Sequence, residues 1–501
     1  MVIVGDQRGI TIPDLSRYRT GIPRLRGLRL IHTHLQGEPL SEEDLTDLAL
    51  LRLDMMVALL TDGKGDQESV QSAHLLPDNP EKKVWEVTPP SSLRQLDIDF
   101  LKWVQSLEDE FQKGQRALST RGPREKAILL SVSREKKEVL ENSMEELKDL
   151  AESSGVRVAE AIIQRPQNIS QSTLIGEGKL KELLVKCMQL GVDLIIFDQN
   201  LTPGQMASIS DRTELRVIDR TQLILDIFAQ RAHTRDGKTQ VELAQLKYLL
   251  PRLARKTLAL SRLTGGIGGR GPGETKLEID RRRARERIHL LERELEKLSK
   301  RREQKRALRK RAGIPVLSII GYTNAGKSTL FNLLTKSQFD VEDKLFATLD
   351  TATRRFRLKN SLLTKKSQDE VVITDTVGFI KDLPRDLIGA FHPTFDELRE
   401  SDLLIHLVDV SSPRRDDHME AVEKILLELG LEEIPRFLVF NKEDQWDQEE
   451  VRALCKRYGA VSISALRPEG LDIFFQALEK KLWEIRSVAK QSDGDRALGD
   501  L

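Results

Sequence analysis

Eight residues, Gly321-Tyr322-Thr323-Asn324-Ala325-Gly326-Lys327-Ser328, carry the clearest chemistry in the chain. An apolar run, Ile314 to Ile320, precedes them, and Thr329-Leu330-Phe331-Asn332-Leu333-Leu334 follows with a helical pattern. Strand, glycine-bounded loop and helix are the setting of a P-loop, whose backbone N–H groups and helix N-terminus attract phosphate oxygens. In that setting Lys327 reaches the outer phosphates and the Ser328 hydroxyl ligates Mg²⁺. Downstream, the apolar segment 371–374 runs into Asp375-Thr376-Val377-Gly378. An Asp there can hold the Mg²⁺ through water, and the glycine lets the backbone approach the γ-phosphate. Phe437-Leu438-Val439-Phe440 then ends in Asn441-Lys442-Glu443-Asp444. The carboxylate can accept both N1–H and the exocyclic amine of guanine, a pair that adenine does not offer, and so reject adenine strongly. Finally Val461-Ser462-Ile463 delivers Ser464-Ala465-Leu466, whose backbone N–H can meet guanine O6. Four loops in this order predict a GTP/GDP site.

Between the P-loop and Asp375 lies Leu345-Phe346-Ala347-Thr348-Leu349-Asp350, expected to touch the nucleotide. Thr348 is the candidate switch threonine and Mg²⁺ ligand; Thr353 is the alternative, and a plain loop hydroxyl is the bland reading. Lys327, Thr348 and Asn324 are the catalytic candidates. Phe379 stands after Gly378, where many GTPases carry a Gln that orients water, so intrinsic hydrolysis is expected to be slow or differently arranged. Asn324 offers one arrangement, with its side-chain oxygen holding K⁺ beside the phosphates. It could equally just tie the loop together.

Positioning these loops requires an α/β P-loop GTPase domain, expected at 313–486. The 501-residue length allows two to four domains. An α/β extension of unassigned role is expected over 1–120, with strands at 28–33, 55–60 and 85–88, a Ser41-capped helix and another over 96–113. A second α/β unit with a mostly parallel sheet is expected over 121–235, a helical linker over 236–312, and a polar tail without regular structure over 487–501. In the extension, His32, His34 and His74 have no matching Cys or carboxylate cluster in sequence, so no metal is expected there. In the second unit, Gly176-Glu177-Gly178-Lys179 precedes a helix. It reads as a structural turn or partner contact, or alternatively as a second phosphate cradle.

Charge adds a partner class. The net +1 conceals a block from Gln245 to Ala312 with 22 Lys and Arg against 8 Asp and Glu. Such a block points to a polyanion, most simply nucleic acid, and its single aromatic, Tyr248, favours phosphate contact over base stacking. The helix expected over 239–263 carries Pro251 as a kink, then Gly265-Gly266-Ile267-Gly268-Gly269-Arg270-Gly271-Pro272-Gly273, then helix again from Thr275. That is a helical hairpin with a glycine-rich basic tip, either a flexible linker or a finger entering RNA with Arg270 near its apex. Cys187 and Cys455 are widely separated, which suggests a reducing compartment, and no run nears a membrane span. The N-terminus lacks a secretory pattern. A cytoplasmic protein is expected.

The glycine loop with Glu274-Thr275-Lys276-Leu277-Glu278, together with Phe346-Ala347-Thr348-Leu349-Asp350 and Asp375-Thr376-Val377-Gly378-Phe379, resembles the HflX-type GTPases over about 124–485. The resemblance implies an α/β N-terminal domain, a helical linker, and a GTPase domain of the translation-factor superclass. It also implies a cytoplasmic protein that binds the large (50S) ribosomal subunit near ribosomal RNA and splits ribosomes; a monomer is expected. Thr351-Ala352-Thr353 replaces the family's usual Pro-Thr-Thr, and the first 120 residues are an extension many members lack. Two other readings stand beside it: an RNA-remodelling nucleotidase using ATP near Lys179, and a protein-binding regulatory GTPase without RNA contact.

Overall fold

The computed structural model describes residues 25–61, 67–77, 79–81, 83–92, 99–119, 125–213, 215–253, 276–311, 314–335, 345–346, 352–358, 370–376, 378–380, 392–467 and 471–499. The chain divides into two compact units, Met1–Arg220 and Thr221–Leu501.

The first unit contains two sheets. β1 (Arg29–His34), α1 (Glu42–Leu50), β2 (Met55–Thr61), β3 (Gln67–Leu75), β4 (Trp85–Val87) and α2 (Phe100–Ser119) form the extension. Its strands lie in the order β1-β2-β3-β4, with β1 parallel to β2 and the others antiparallel. α1 opens on a capping box in which Ser41 and Asp44 satisfy each other's backbone N–H. β3 escapes detection in the sequence because its central residues are polar yet buried. Gln71 Oε1 accepts from the Leu40 N–H (2.8 Å), and the Ser72 hydroxyl meets that of Thr88 (2.9 Å), so neither loses its hydrogen bonds on burial.

The second sheet is built from β5 (Lys126–Val132), α3 (Lys137–Ser153), β6 (Arg157–Gln164), α4 (Glu177–Leu190), β7 (Leu194–Phe197), α5 (Pro203–Ser210) and β8 (Arg216–Asp219). All four strands are parallel, in the order β6-β5-β7-β8. The two sheets share a seam at α1 and α4. Leu50 packs against the core of the second, Val185 against the core of the first, and Asp47 pairs with Lys181 at 3.6 Å. The extension is therefore packed into the same unit as the parallel sheet.

A parallel sheet with this order binds ligands where the strand order reverses, beyond the carboxyl ends of β5 and β7. Near those strand ends, charged side chains of the unit pair with one another. Arg220 donates to Asp198 (2.9 Å) and Glu146 (2.6 Å), and Asp198 accepts from Ser131 (3.0 Å) and Ser143 (2.8 Å). These charges are buried, and each meets a partner, as charges in a low dielectric require.

In the second unit, α6 (Arg220–Arg231) spans the division, and α7 (Arg235–Leu253) and α8 (Lys276–Arg311) form the expected hairpin. Along α8 the buried positions Ala284, Ile288, Leu291 and Leu295 recur every three or four residues, and the last three meet Leu243 of α7. Arg287–Glu242 (2.6 Å) and Lys247–Glu292 (2.8 Å) flank this seam. The glycine loop Gly265–Gly273, Arg270 included, lies outside the described residues, as does the predicted helical segment beyond Leu253.

The GTPase fold follows: β9 (Val316–Ile320), α9 (Lys327–Thr335), β10 (Ala352–Arg357), β11 (Glu370–Asp375), α10 (His392–Arg399), β12 (Leu403–Asp409), α11 (Arg415–Glu428), β13 (Arg436–Asn441), α12 (Gln448–Tyr458), β14 (Val461–Ser462) and α13 (Leu471–Gly499). The sheet order is β10-β11-β9-β12-β13-β14, parallel except for β10. Burial on both faces explains why β9, β11, β12 and β13 read as continuous apolar runs. The expectation of an unstructured tail from Ser487 is not met, because α13 continues to Gly499. Phe474, Leu478 and Leu482 anchor its first turns in the core, and extending a nucleated helix costs little. Among the described residues no helix is long and apolar enough to cross a membrane.

Candidate functional site: a nucleotide cleft at the strand ends

The carboxyl ends of β9, β11, β13 and β14 bring the four sequence-predicted loops to one edge of the sheet. The P-loop is clamped from both sides. On one side the Thr323 N–H donates to the Phe379 carbonyl (2.8 Å), and the Phe379 N–H donates to the Gly321 carbonyl (3.1 Å). On the other, Asn441 Nδ2 donates to the Ala325 carbonyl (2.8 Å) while its Oδ1 accepts from the Ala465 N–H (2.9 Å). One buried amide thus joins three of the four loops.

The glycines are demanded by this packing. A Cβ on Gly326, at φ +91°, would fall 2.2 Å from Asn441 Nδ2, and one on Gly321 would fall 2.2 Å from the Leu407 carbonyl oxygen. A Cβ on Gly378 would lie 2.9 Å from the Thr323 methyl and 3.0 Å from Lys327 Nζ. Real Cβ atoms do not approach to 2.2 Å, so the P-loop closes only with hydrogen at Gly321 and Gly326, while at Gly378 the nearest neighbours are the ends of the Thr323 and Lys327 side chains.

Lys327 begins α9 with its ammonium buried, donating to the Tyr322 carbonyl (2.7 Å). Burial pushes its pKa down to about 8, against an opposing pull from Asp375. Ser328 donates to Asp375 Oδ2 (2.8 Å), which places a hydroxyl and a carboxylate together at the helix N-terminus, the oxygen donors a hard cation takes. The Tyr322 ring stacks on His418 (centroids 3.9 Å apart), and Thr376 anchors to the Ile319 carbonyl (2.7 Å). His406, beneath the loop on β12, is pushed down to about 4 by burial, with Arg436 and Lys327 adding to it, so it stays neutral.

At the base-recognition end, Lys442 adopts φ +64° and pairs with Asp409 (2.7 Å), fixing the turn that presents Glu443 and Asp444. Asp444 Oδ1 is buried without a hydrogen-bond partner among the described residues, and so is Ser464 Oγ. A buried carboxylate oxygen left unsatisfied is costly. Two adjacent N–H donors from a guanine edge would remove that cost, so the residues present fit the base. Leu466, by contrast, is 73% exposed.

Other predicted residues take different places. Asn324 is exposed in the left-handed region at φ +62°, a conformation Asn tolerates. Phe346 is buried, and its ring meets Phe228 of α6 edge-on at 4.8 Å, a packing role for a residue expected to touch nucleotide. Thr353 lies within β10, opposite Thr374. Ala347, Thr348, Leu349, Asp350 and Val377 fall outside the described residues. Phe379 is buried and stacks with Phe395, so its side chain belongs to the core. In the first unit, Lys179 is exposed and pairs with Glu182, while Glu177 pairs with Arg212 (2.9 Å). That Gly-Glu-Gly-Lys turn is accordingly occupied by its own ion pairs. Asp409, His418 and Phe228 were not anticipated; only Asp409 carried a signal, as the carboxylate ending the apolar strand 403–408.

Fold and cleft together define a P-loop GTPase. Family models agree: "GTP-binding GTPase N-terminal" matches residues 141–229, "GTP-binding GTPase Middle Region" 231–309, and "50S ribosome-binding GTPase" 316–442. The chain is 46% identical over 365 residues to GTPase HflX of Caldanaerobacter subterraneus subsp. tengcongensis, covering 73% of this chain and 82% of that one. It is 44% identical to GTPase HflX of Alkalihalophilus pseudofirmus (72% and 84% covered) and 42% identical to that of Escherichia coli (72% and 83% covered). The chain belongs to the HflX family of GTPases; it binds GTP and GDP and hydrolyses GTP.

Two outcomes follow from the geometry. Asp444→Asn should shift preference from guanine toward xanthine nucleotides, because an amide can donate where the carboxylate only accepts; competition binding of GTP against XTP checks it. Phosphate binding favours the charged form of Lys327, whose pKa lies at about 8 before binding. GTP affinity should therefore be flat below pH 8 and fall by up to about tenfold per unit as pH rises above it, since binding must then take up a proton. Isothermal titration between pH 7 and 9 reads this directly.

Proposed function

We propose that this GTPase is a nucleotide-gated factor of the cytoplasm that acts as a monomer on the large ribosomal subunit and separates ribosomal subunits. The observation that carries the proposal is the basic hairpin built onto the GTPase fold. On α8 the buried stripe faces α7, which leaves Arg283, Arg285, Arg293 and Lys297 exposed and without a carboxylate partner among the described residues. Such a face suits the phosphate backbone of RNA. The "50S ribosome-binding GTPase" model that matches residues 316–442 supports the same partner.

Nucleotide state reaches the hairpin side through Phe346. This residue precedes Thr348, the proposed switch threonine, and its ring rests on Phe228 of α6, the helix before the hairpin. Ordering the switch around the γ-phosphate would set that aromatic contact, and hydrolysis would release it. Ser328, with Asp375 behind it, would hold Mg²⁺ together with the proposed switch threonine Thr348, and the ion would neutralise charge on the β- and γ-phosphate oxygens. Lys327 binds the same phosphates, and the clamp on the P-loop prepays their orientation. Because Phe379 is turned into the core, no side chain at that position orients water, and contact with the bound partner is the proposed stimulus.

Co-sedimentation with purified large subunits tests the proposal. A non-hydrolysable GTP analogue should hold the protein on the subunit more tightly than GDP does. Replacing Arg283, Arg285 and Arg293 with Glu should weaken binding and flatten its dependence on log salt by about 2–3, roughly one per lost phosphate contact. Binding indifferent to nucleotide, or a triple variant that binds normally, would overturn it.

We also propose that Asn324 holds K⁺ beside the phosphates, where its exposed position at the loop crest leaves its side chain toward solvent. Turnover should then be several-fold faster in K⁺ than in Na⁺ buffer, and equal rates reject the role.

A further inference from the structure

Far from the GTPase loops in sequence, three side chains of the first unit converge at the open edge of its first sheet. β1 is the edge strand, paired only with β2 among the described strands. Because strand side chains alternate, His32 and His34 leave the same face, while Ile31 between them is 59% exposed on the other. The capping box then sets the entry of α1 so that Asp44, in its first turn, stands against the two rings.

The three side chains present their ligand atoms within 4.8 Å of one another. The two Nε2 atoms lie 2.8 Å apart, His32 Nε2 lies 3.5 Å from Asp44 Oδ1, and His34 Nε2 lies 3.7 Å from Asp44 Oδ2. Donors bound at about 2.0–2.2 Å around a tetrahedral ion sit roughly 3.3–3.6 Å from one another, so the two His–Asp pairs stand close to that spacing and the two rings would part by about half an ångström to admit an ion. The partners behind the cluster set its chemistry. His34 Nδ1 is 2.7 Å from the Glu38 carbonyl, which can only accept, so Nδ1 carries the hydrogen and Nε2 turns its lone pair inward. A carbonyl behind the imidazole in this way is the usual support of a metal-ligating histidine. The carboxylate is oriented likewise: Asp44 Oδ2 accepts from the Ser41 N–H (2.8 Å) and hydroxyl (2.6 Å), leaving Oδ1 toward His32.

The rings can also hydrogen-bond, His32 Nε2–H donating to the His34 Nε2 lone pair at 2.8 Å. An ion would take both Nε2 lone pairs and move the His32 hydrogen to Nδ1, which is buried without a hydrogen-bond partner in either arrangement.

We propose that His32, His34 and Asp44 form a binding site for a divalent transition-metal ion of the Zn²⁺ class. The ion ties the edge strand of the extension to the first turn of α1, with a coordination position left for water. Two imidazoles and one carboxylate match that class and not Mg²⁺ or Ca²⁺, which take oxygen ligands. His74 is not a member; it packs edge-on against Trp103 (4.8 Å) and faces Glu86 (3.6 Å).

The 501-residue, nucleotide-free chain is loaded with Zn²⁺ in excess Mg²⁺, which competes for oxygen-donor sites, and then desalted. About one equivalent of zinc per chain should remain. His34→Gln and Asp44→Asn should each weaken binding by at least about tenfold while GTP turnover stays unchanged, because both residues belong to the first unit and the nucleotide loops to the second. Asp44→Asn keeps an acceptor for the Ser41 cap, so its loss of metal is not a loss of the helix start. X-ray absorption at the zinc edge of the unsubstituted protein gives a readout independent of any variant. A shell of nitrogen and oxygen with imidazole scattering is expected. Sulfur in that shell, no zinc retained, or full retention by both variants would each overturn the site.

Discussion

The buried amide of Asn441 is the constraint on which the nucleotide site depends. Its nitrogen holds the P-loop at Ala325 and its oxygen holds the base-recognition loop at Ala465. Gly326 yields the space it occupies. An amide is suited to this task because it donates and accepts at once, so one side chain satisfies two loop groups that would otherwise be buried unpaired. With the Phe379 clamp on the opposite side, the P-loop is held in its binding shape by the protein's own hydrogen bonds. Preorganised donors of this kind need not be reordered when anionic phosphates arrive.

Against that rigid frame, the groups left uncompensated mark where the ligand belongs. Lys327 is buried with a lowered pKa, and Asp444 keeps a buried oxygen without a partner among the described residues. One needs anions and the other needs donors, at opposite ends of the same cleft. The switch side is built differently. Phe346 meets Phe228 of α6 through an aromatic contact, which joins the segment before Thr348 to the helix that precedes the basic hairpin.

The first unit shows the opposite economy. Near the strand ends where its parallel sheet would take a ligand, Arg220 pairs with both Asp198 and Glu146. Its chemically interesting groups lie instead in the extension, which packs onto α4 through α1. The same first turn of α1 that caps the helix also presents Asp44 to the histidines of β1.

The order of loops, the parallel character of both larger sheets and the hairpin were legible in the sequence. Each rests on a local rule: a glycine pattern before a helix, apolar runs with turn residues between, and helical spacing of Leu and Ile. β3 was not legible because its buried Gln71 and Ser72 are satisfied by Leu40 and Thr88, neighbours that only folding supplies. The helical tail was missed because its support comes from Phe474 and Leu478 in the core and not from its own composition. Phe346 read as a nucleotide contact because sequence places it beside Thr348, whereas its partner Phe228 is remote in the chain. His32, His34 and Asp44 were visible singly, but spacing along a strand and a helix start says nothing of their meeting. Sequence by itself determined which chemistry each loop could do, since that follows from residue type and local backbone. Tertiary structure alone decided which distant groups stand within bonding distance, because packing and hydrogen-bond satisfaction act across the whole unit.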